Sequence, residues 1–415
     1  MIFPTRIPLF CYALALCLAL GNTPAHATVK KKKSVHPAHA AVAKPKLDGV
    51  AEGRLIAIYR LIGQGDTRTA LTEAERLVKT YPNFALAQLV YGDLLSARSR
   101  SLHDFGDVPT EQRQHAQVAL DELKNESMLR LKALRERPPA GSVPAEFLKL
   151  SSQNKHASAI DASRARLYLF ENSSNGPTLM ADYYISVGKL GLEKQAEGDQ
   201  RTPLGVYFIT SQLDPKTLKD FYGAGALPIN YPNVLDIKRG KTGGGIWLHG
   251  TPATQFSRAP QSSDGCVVLA NPDLQNIIQQ VEIRSTPVLI SKQIKWVAPA
   301  SQKQITHEFT HQFDAWMSAK TSGKLNNITS FYAADFSNNG KSLTDWLPTL
   351  QRELNGLQKQ SLEVKDLSLL HWVDSNETMV VTFGEVVVGQ RSGSTKRQYW
   401  QKSNSGWKIF YEGSV

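Results

Sequence analysis

The chain has 415 residues, 41% hydrophobic and 20% charged, with a net charge of +11. At about 100–200 residues per domain this length predicts two to four domains. Such a composition excludes a mainly disordered chain, a collagen-like chain and a polytopic membrane protein. Four of the positive charges form the run Lys30 to Lys33, so part of the excess belongs to a tail.

At the start, Arg6 supplies a short positive region and Leu9 to Leu20 is an unbroken apolar stretch. Ala25-His26-Ala27 then fits the small-x-small pattern of a secretory cleavage site. Twelve apolar residues rise about 18 Å as a helix, short of a roughly 30 Å hydrocarbon core. Residues 1–27 are therefore expected to be a signal peptide, with an uncleaved anchor as the alternative. Cleavage would remove Cys11 and Cys17 and leave Cys266 as the single cysteine of an exported protein. A lone thiol in a disulfide-permissive compartment is an intermolecular bridge, an inert buried group or a nucleophile.

Residues 28–50 read as a basic linker without apolar periodicity, either a solvated tether or a segment drawn to an anionic surface. A helical module is expected over 51–140. Leu55, Ile58, Tyr59 and Ile62 fall at i, i+3, i+4 and i+7. A second helix runs through Leu71, Ala74 and Val78 to Tyr81-Pro82, a third carries Leu86 to Leu94, and a longer one covers about 111–137. The stretch 65–96 resembles one tetratricopeptide-type helix pair, a unit that elsewhere occurs in stacks of about three or more.

From 158 to 292 the pattern becomes mostly β. Arg166 to Phe170, Tyr183 to Val187 and Val206 to Thr210 read as strands, and Ile246-Trp247-Leu248 is a short strand delivering His249-Gly250. Trp247 reads as core. A helix opens at Asn271 as cap, with Pro272 at its first position and Leu274, Ile277, Ile278 and Val281 as its buried stripe. After a Lys/Pro linker, residues 305–415 read as three helices followed by four strands.

The chemistry concentrates in His249-Gly250-Thr251 and Ser262-Ser263-Asp264-Gly265-Cys266-Val267-Val268. A thiol attacks an acyl carbon only as thiolate, and its usual pKa of about 8.5 leaves a few per cent ionised at neutral pH. A nearby imidazole takes that proton and later returns it to the leaving amine. Gly265 would let the backbone turn so that the amides of Gly265 and Cys266 face a developing oxyanion. The imidazole's second nitrogen needs an acceptor, and a carbonyl near Gly250 or Ser263 is a candidate.

These residues resemble the signature of the L,D-transpeptidase (YkuD-like) family of bacterial cell-wall cysteine enzymes. The similarity extends upstream through Val187-Gly188-Lys189 and Glu197 to Tyr207, and Asn230-Tyr231-Pro232-Asn233 is similar to the murein–lipoprotein hydrolase branch. The resemblance covers about 165–291. It implies Cys266 as nucleophile and His249 as general base and acid, Gly265 and Cys266 as oxyanion donors, and Ser263 and Gly250 as supports. Arg201, Arg258, Asp264 and Tyr231 are the candidate substrate contacts. Many members carry His where this chain has Asp264. Because a carboxylate disfavours a neighbouring thiolate, an ion pair with Arg258 is the expected compensation.

The family cleaves the bond between the L-centre of meso-diaminopimelate and a terminal D-alanine. The thioester then passes to an amine (transpeptidation) or to water (L,D-carboxypeptidation); release of a wall-attached lipoprotein is a related outcome. The order of elements at the C-terminus resembles the NTF2-like cone, a pairing that is similar to cell-shape-determining L,D-carboxypeptidases. The fold class expected is thus multidomain: a helical tetratricopeptide-like module, a mostly-β YkuD-like domain and an α+β NTF2-like domain. Peptidoglycan stems are the expected partner, with a lipoprotein or a protein ligand of the helical module as further candidates. Nucleic acid is not expected, the expected location is periplasmic, and the thiol mechanism requires no metal or organic cofactor. A non-catalytic wall-binding scaffold is the rival of another class.

One further motif competes. His307-Glu308-Phe309-Thr310-His311 spells H-E-x-x-H, which in zinc hydrolases places two ligands one turn apart. Phe309, Phe313, Trp316 and Met317 give this helix a buried face of its own, so it reads as an ordinary packed helix.

Overall fold

The structure is a computed structural model that describes residues 49–108, 110–357 and 361–415. The expected signal peptide, with Cys11 and Cys17, and the basic linker up to residue 48 lie outside the described residues.

Four helices come first: α1 (Val50–Gly63), α2 (Thr67–Thr80), α3 (Ala85–Ser96) and α4 (Thr110–Arg135). Asp66 caps α2 by accepting from the Thr69 amide at 3.1 Å. Leu55, Ile58, Ala70, Leu77, Leu86 and Val90 are buried between the helices. Ile62, expected in the stripe of α1, is exposed, and Ile56 is buried in its place. The stripe is turned because α1 also presents Glu52 to the central domain, where Arg166 meets it at 2.6 Å.

The central domain is a nine-stranded sheet. Its strands run in the order Gly205–Phe208, Pro287–Ser291, His156–Asp161, Arg166–Ser173, Gly176–Gly188, Val267–Leu269, Trp247–His249 and Ala226–Pro228, with Gln261–Ser263 pairing off the path. Between them lie α5 (Val234–Lys238) and α6 (Asn271–Gln280). One face carries Ile160, Leu167, Leu169, Ile185, Val288 and Ile290 onto α6. The other carries Ala159, Tyr168, Phe170, Val206, Phe208 and Leu289.

That second face is covered by the C-terminal domain, which follows the order α7 (Lys303–Thr321), α8 (Leu325–Thr329), α9 (Leu343–Gly356) and then four antiparallel strands. Met379, Val381 and Phe383 point into the cone, against Phe309, Phe313 and Trp316 of α7. Leu370, Trp372, Val380, Tyr399 and Phe410 point the other way, into the core shared with the central sheet. Strands buried on both faces lose the polar alternation of a half-exposed strand and read as apolar runs. Each fully buried large apolar side chain here contributes about 1.5–3 kcal/mol. A short strand at Phe147–Lys149, in a stretch where the sequence shows no element, adds a fifth strand to the cone's sheet by pairing with Leu362–Val373. The chain thus enters the C-terminal sheet before it builds the central one.

His307 and His311 lie on the exposed side of α7, opposite the buried Phe309 and Phe313. Among the described residues no group of three or more His, Cys, Asp or Glu is placed to hold a metal.

Candidate active site

His249 ends the strand Trp247–His249, and Cys266 immediately precedes the parallel strand Val267–Leu269, with Val267 opposite Leu248. The two segments singled out by sequence are therefore neighbours in the sheet. His249 is almost wholly buried, and its Nδ1 lies 2.7 Å from the Gly250 carbonyl oxygen. A carbonyl only accepts, so Nδ1 carries the ring proton and Nε2 is left as the basic nitrogen. Burial, with the nearby charge of Arg258, lowers the imidazole to about 4, so it is neutral at physiological pH.

The Cys266 thiol faces the Gly245 carbonyl at 3.4 Å. Burial pushes it above the ordinary thiol range, Asp264 adds to that, and the Trp247 amide and Arg258 oppose it. The resting thiol and imidazole, carried by adjacent segments of the sheet, are accordingly both neutral. Ionisation has to accompany attack, with the imidazole acting as base.

The turn before Cys266 is tightly specified. Gly265 has φ 122°, and a β-carbon there would lie 2.7 Å from the Arg201 carbonyl oxygen, so only glycine fits. Ser263 Oγ donates to the Cys266 carbonyl at 2.6 Å and accepts from the Gly265 amide at 3.1 Å. This corrects one expectation: the Gly265 amide is bonded to Ser263 rather than free for an oxyanion. The Cys266 amide remains the candidate donor. Thr202, fully buried, donates to the Gly265 carbonyl at 2.9 Å and accepts from the Gly188 amide at 2.9 Å.

Four expected substrate contacts divide. Arg258 reaches the site: its charge acts on both His249 and Cys266, and its guanidinium stacks on Phe221 at 4.3 Å. Asp264 is exposed at the site's edge, but its ion pair is with Lys189 at 3.0 Å rather than with Arg258. Lys189 is held there because its own amide donates to the Ser263 carbonyl at 2.8 Å. Arg201 is exposed and bonds the Leu192 carbonyl at 3.0 Å. Tyr231 is not a surface contact: it is buried, and its hydroxyl donates to the Thr242 carbonyl at 3.2 Å. It braces the glycine-rich segment that carries Gly245.

Other residues escaped the sequence reading. Asn271, expected as a helix cap, is the first residue of α6, and the cap position falls to Ala270. Its Oδ1 accepts from the amides of Ala224 and Thr251 at 2.8 and 3.1 Å, and its Nδ2 donates to the Thr251 carbonyl at 2.8 Å. Asn271 thus clamps the loop after His249 to the loop after Tyr222. Gly250 leaves the space it needs, since a β-carbon there would lie 2.0 Å from Oδ1. Tyr222 and Phe221 wall the imidazole at ring distances of 5.1 and 5.6 Å, and half-buried Trp247 packs on Tyr222 at 4.9 Å.

The helical module reaches this site through the loop 252–259. Phe256 stacks on Phe84 at 4.3 Å, and its amide donates to the Asn83 carbonyl at 3.0 Å. Ser257 Oγ donates to Glu126 at 2.9 Å. Arg130 lies 3.9 Å over the ring of Tyr184, whose hydroxyl donates to the Arg258 carbonyl at 2.9 Å. A buried chain of contacts therefore runs from α4 to the arginine beside the thiol.

Comparison with known proteins agrees with this layout. Residues 155–290 match the model of the L,D-transpeptidase (YkuD) catalytic domain, and residues 308–413 match that of the Cds6 C-terminal NTF2-like domain. No curated protein matches the chain. Among solved structures it is similar to Bd1075 of Bdellovibrio bacteriovorus, with 23% identity, TM-score 0.56, and 66% of this chain and 98% of that one covered. It is similar as well to the helical cell shape determining protein Pgp2 of Campylobacter jejuni, with 20% identity, TM-score 0.51, and 69% and 99% covered. At these identities the likeness is one of fold.

Proposed function

We propose that this chain, which carries a YkuD-type L,D-transpeptidase catalytic domain joined to a Cds6-type NTF2-like domain, is an exported cell-wall cysteine acyltransferase acting on peptidoglycan peptide stems. The observation that carries the reading is the tautomer fixed at His249. With Nδ1–H held by the Gly250 carbonyl, Nε2 is free to act as base for the adjoining thiol.

In this reading the substrate is the bond between the L-centre of diaminopimelate and D-alanine in a tetrapeptide stem. Cys266 Sγ forms a bond to the carbonyl carbon while its proton moves to His249 Nε2. The oxyanion is met by the Cys266 amide. Collapse breaks the C–N bond, and the imidazolium returns the proton to the departing D-alanine amine, leaving a thioester. An acceptor amine then attacks, its proton passing to His249 and on to the released thiolate. Arg258 supplies positive charge beside the reacting groups, suited to the D-alanine carboxylate. The expected leader at 1–27 supports a periplasmic location.

A second reading replaces the acceptor amine by water, giving a tripeptide. The domain order favours it: a Cds6-type NTF2-like domain follows the catalytic domain, a pairing that resembles cell-shape-determining L,D-carboxypeptidases, and 99% of a helical cell shape determining protein is covered in the match to this chain. Mass analysis of tetrapeptide muropeptides, incubated with the mature protein and with Cys266→Ala, tests both. Cross-linked dimers absent with the variant support transfer, and tripeptide alone supports hydrolysis. Identical products from both proteins, on free muropeptides and on lipoprotein-linked sacculi alike, would remove the enzyme reading in favour of a scaffold.

A further inference from the structure

The junction between the catalytic sheet and the C-terminal cone contains a buried arginine that no carboxylate answers. Arg397 lies on the strand Ser394–Ser403, with 8% of its surface exposed. Its guanidinium carbon sits 3.4 Å from the centre of the Phe208 ring, and its Nε donates to Thr382 Oγ1 at 2.9 Å. Among the described residues no carboxylate comes within ion-pair distance of it.

The neighbouring residue shows what this strand does with a charge that is purely structural. Lys396 points to the opposite side and is met by Glu353 at 2.8 Å, Glu385 at 3.0 Å and Glu412 at 3.4 Å. A buried charge is normally paired in this way, because leaving water without a counter-charge is strongly unfavourable. At Arg397 burial has its full effect and lowers the guanidinium to about 10, with only Tyr399 and Tyr411 opposing.

Arg397 lines a cavity of about 410 Å³ between the two domains, and three of the four other charged side chains in its lining are positive. Arg284, Arg391 and Lys365 are exposed at its rim. The one side-chain carboxylate in the lining, Asp366, is bonded to Ser152 Oγ at 2.5 Å and to Gln153 at 3.4 Å, and Lys365 is drawn to Glu363 at 3.3 Å. That leaves Arg397 at the base with Arg284 and Arg391 above it. A guanidinium offers a planar fork that matches two oxygens of a carboxylate or phosphate, and does so best where water is excluded. None of the residues lining this cavity belongs to the candidate active site.

We propose that the junction cavity is a binding site for an oxyanion-bearing ligand, a carboxylate or phosphate group held by Arg397 from below and by Arg284 and Arg391 at the rim. The site does not depend on the reading of Cys266, and Cys266→Ala is expected to bind as the unaltered protein does. Occupancy would cross-brace the two domains, since Arg284 belongs to the catalytic domain and Arg391 and Arg397 to the cone.

Isothermal titration calorimetry on the mature chain at low ionic strength tests the proposal, with two probes. Inorganic phosphate represents the phosphate source, and an L-Ala-D-Glu-diaminopimelate tripeptide represents the carboxylate source. One-to-one binding of either probe is expected, weakening as salt is raised. Arg397→Gln should weaken it at least about tenfold, the loss of one charge-assisted bidentate contact. The exposed double variant Arg284→Ala/Arg391→Ala should weaken it several-fold even if Arg397→Gln fails to fold. Which probe binds identifies the ligand chemistry. Absence of binding by both probes, or binding unchanged in the rim double variant, overturns the site.

Discussion

The two junctions that flank the catalytic domain treat buried charge in opposite ways. On the helical side, Arg166 and Arg130 are more deeply buried than Arg397, yet each is met by carboxylates: Arg166 by Glu52 at 2.6 Å, Arg130 by Glu52 at 3.0 Å and by Glu126 at 2.7 Å. Burial alone would weaken both guanidinium charges, and the carboxylates instead hold them above the usual arginine range. Burial would likewise raise Glu52, but the two arginines keep it at about 2. On the cone side, Arg397 has an aromatic ring and a hydroxyl for company. A closed network in which each buried arginine faces a carboxylate locks one domain on another in a single geometry. An open charge beside a cavity leaves a place for something that comes and goes.

The difference extends to the candidate site. The helical junction continues into the loop 252–259 and ends at Arg258, so its geometry is felt at Cys266. The cone junction is held mainly by apolar side chains of both sheets, with ion pairs from Arg239 to Asp374 at 2.5 Å and from Lys238 to Asp335 at its edge, neither of which includes a residue of the candidate site.

The comparison can be broken most directly at Glu52. Glu52→Ala removes the carboxylate that two buried guanidinium groups share, leaving Arg130 to Glu126 and Arg166 to Asp182 at 3.4 Å, and is expected to cost about 3–5 kcal/mol, the usual penalty for removing one partner of a buried pair. The check is a lower urea midpoint at unchanged slope. A loss below about 1 kcal/mol would mean the network is not the lock described.

Tyr184→Phe comes next. It removes one hydrogen bond, worth about 1 kcal/mol, and frees the Arg258 carbonyl. On the proposed reaction, kcat/KM should fall about fivefold with the fold intact by circular dichroism. Unchanged turnover would cut the route from the helical module to the site.

A smaller effect sharpens the same link. The His249 imidazole is lowered to about 4, so activity should persist as pH falls and be lost only near pH 4, where the base becomes protonated. Arg258 contributes to that lowering after burial does. Arg258→Gln should therefore move the acid limb of kcat/KM upward, by less than about one pH unit. A limb that stays put, or shifts downward, would show that Arg258 does not act on His249.

The smallest change is expected at Arg397. Arg397→Met removes a charge that has no carboxylate to strand, so stability should change by no more than about 1 kcal/mol. A loss comparable to that of Glu52→Ala would erase the distinction between the junctions.

How much was legible in advance follows from the range of each interaction. The three-part fold class was readable because helical periodicity, β-rich runs and the helix-then-strand order at the C-terminus are local patterns. The segments around His249 and Cys266 were readable for the same reason, and the sheet brings them onto adjacent strands. Asn271 was misjudged because Asn-Pro at a helix start looks the same whether the amide caps its own helix or clasps a loop 20 residues upstream. Tyr231 looked available for substrate because nothing in its neighbourhood foretells burial against Tyr207, and Asp264 was assigned to the wrong cation.

By itself, the sequence determined which chemical groups this protein owns and where glycine had to stand beside them, because a thiol, an imidazole and a left-handed turn at Gly265 are properties of single positions and near neighbours. Only the tertiary structure decided which charges meet. Glu52 and Arg166 are 114 residues apart, and Ser257 and Glu126 are 131 apart. Partner choice over such distances is set by how sheets and helices pack into one core, and no local pattern encodes it. The same packing left Arg397 buried and facing a cavity, a feature that in the sequence is one basic residue among forty-eight.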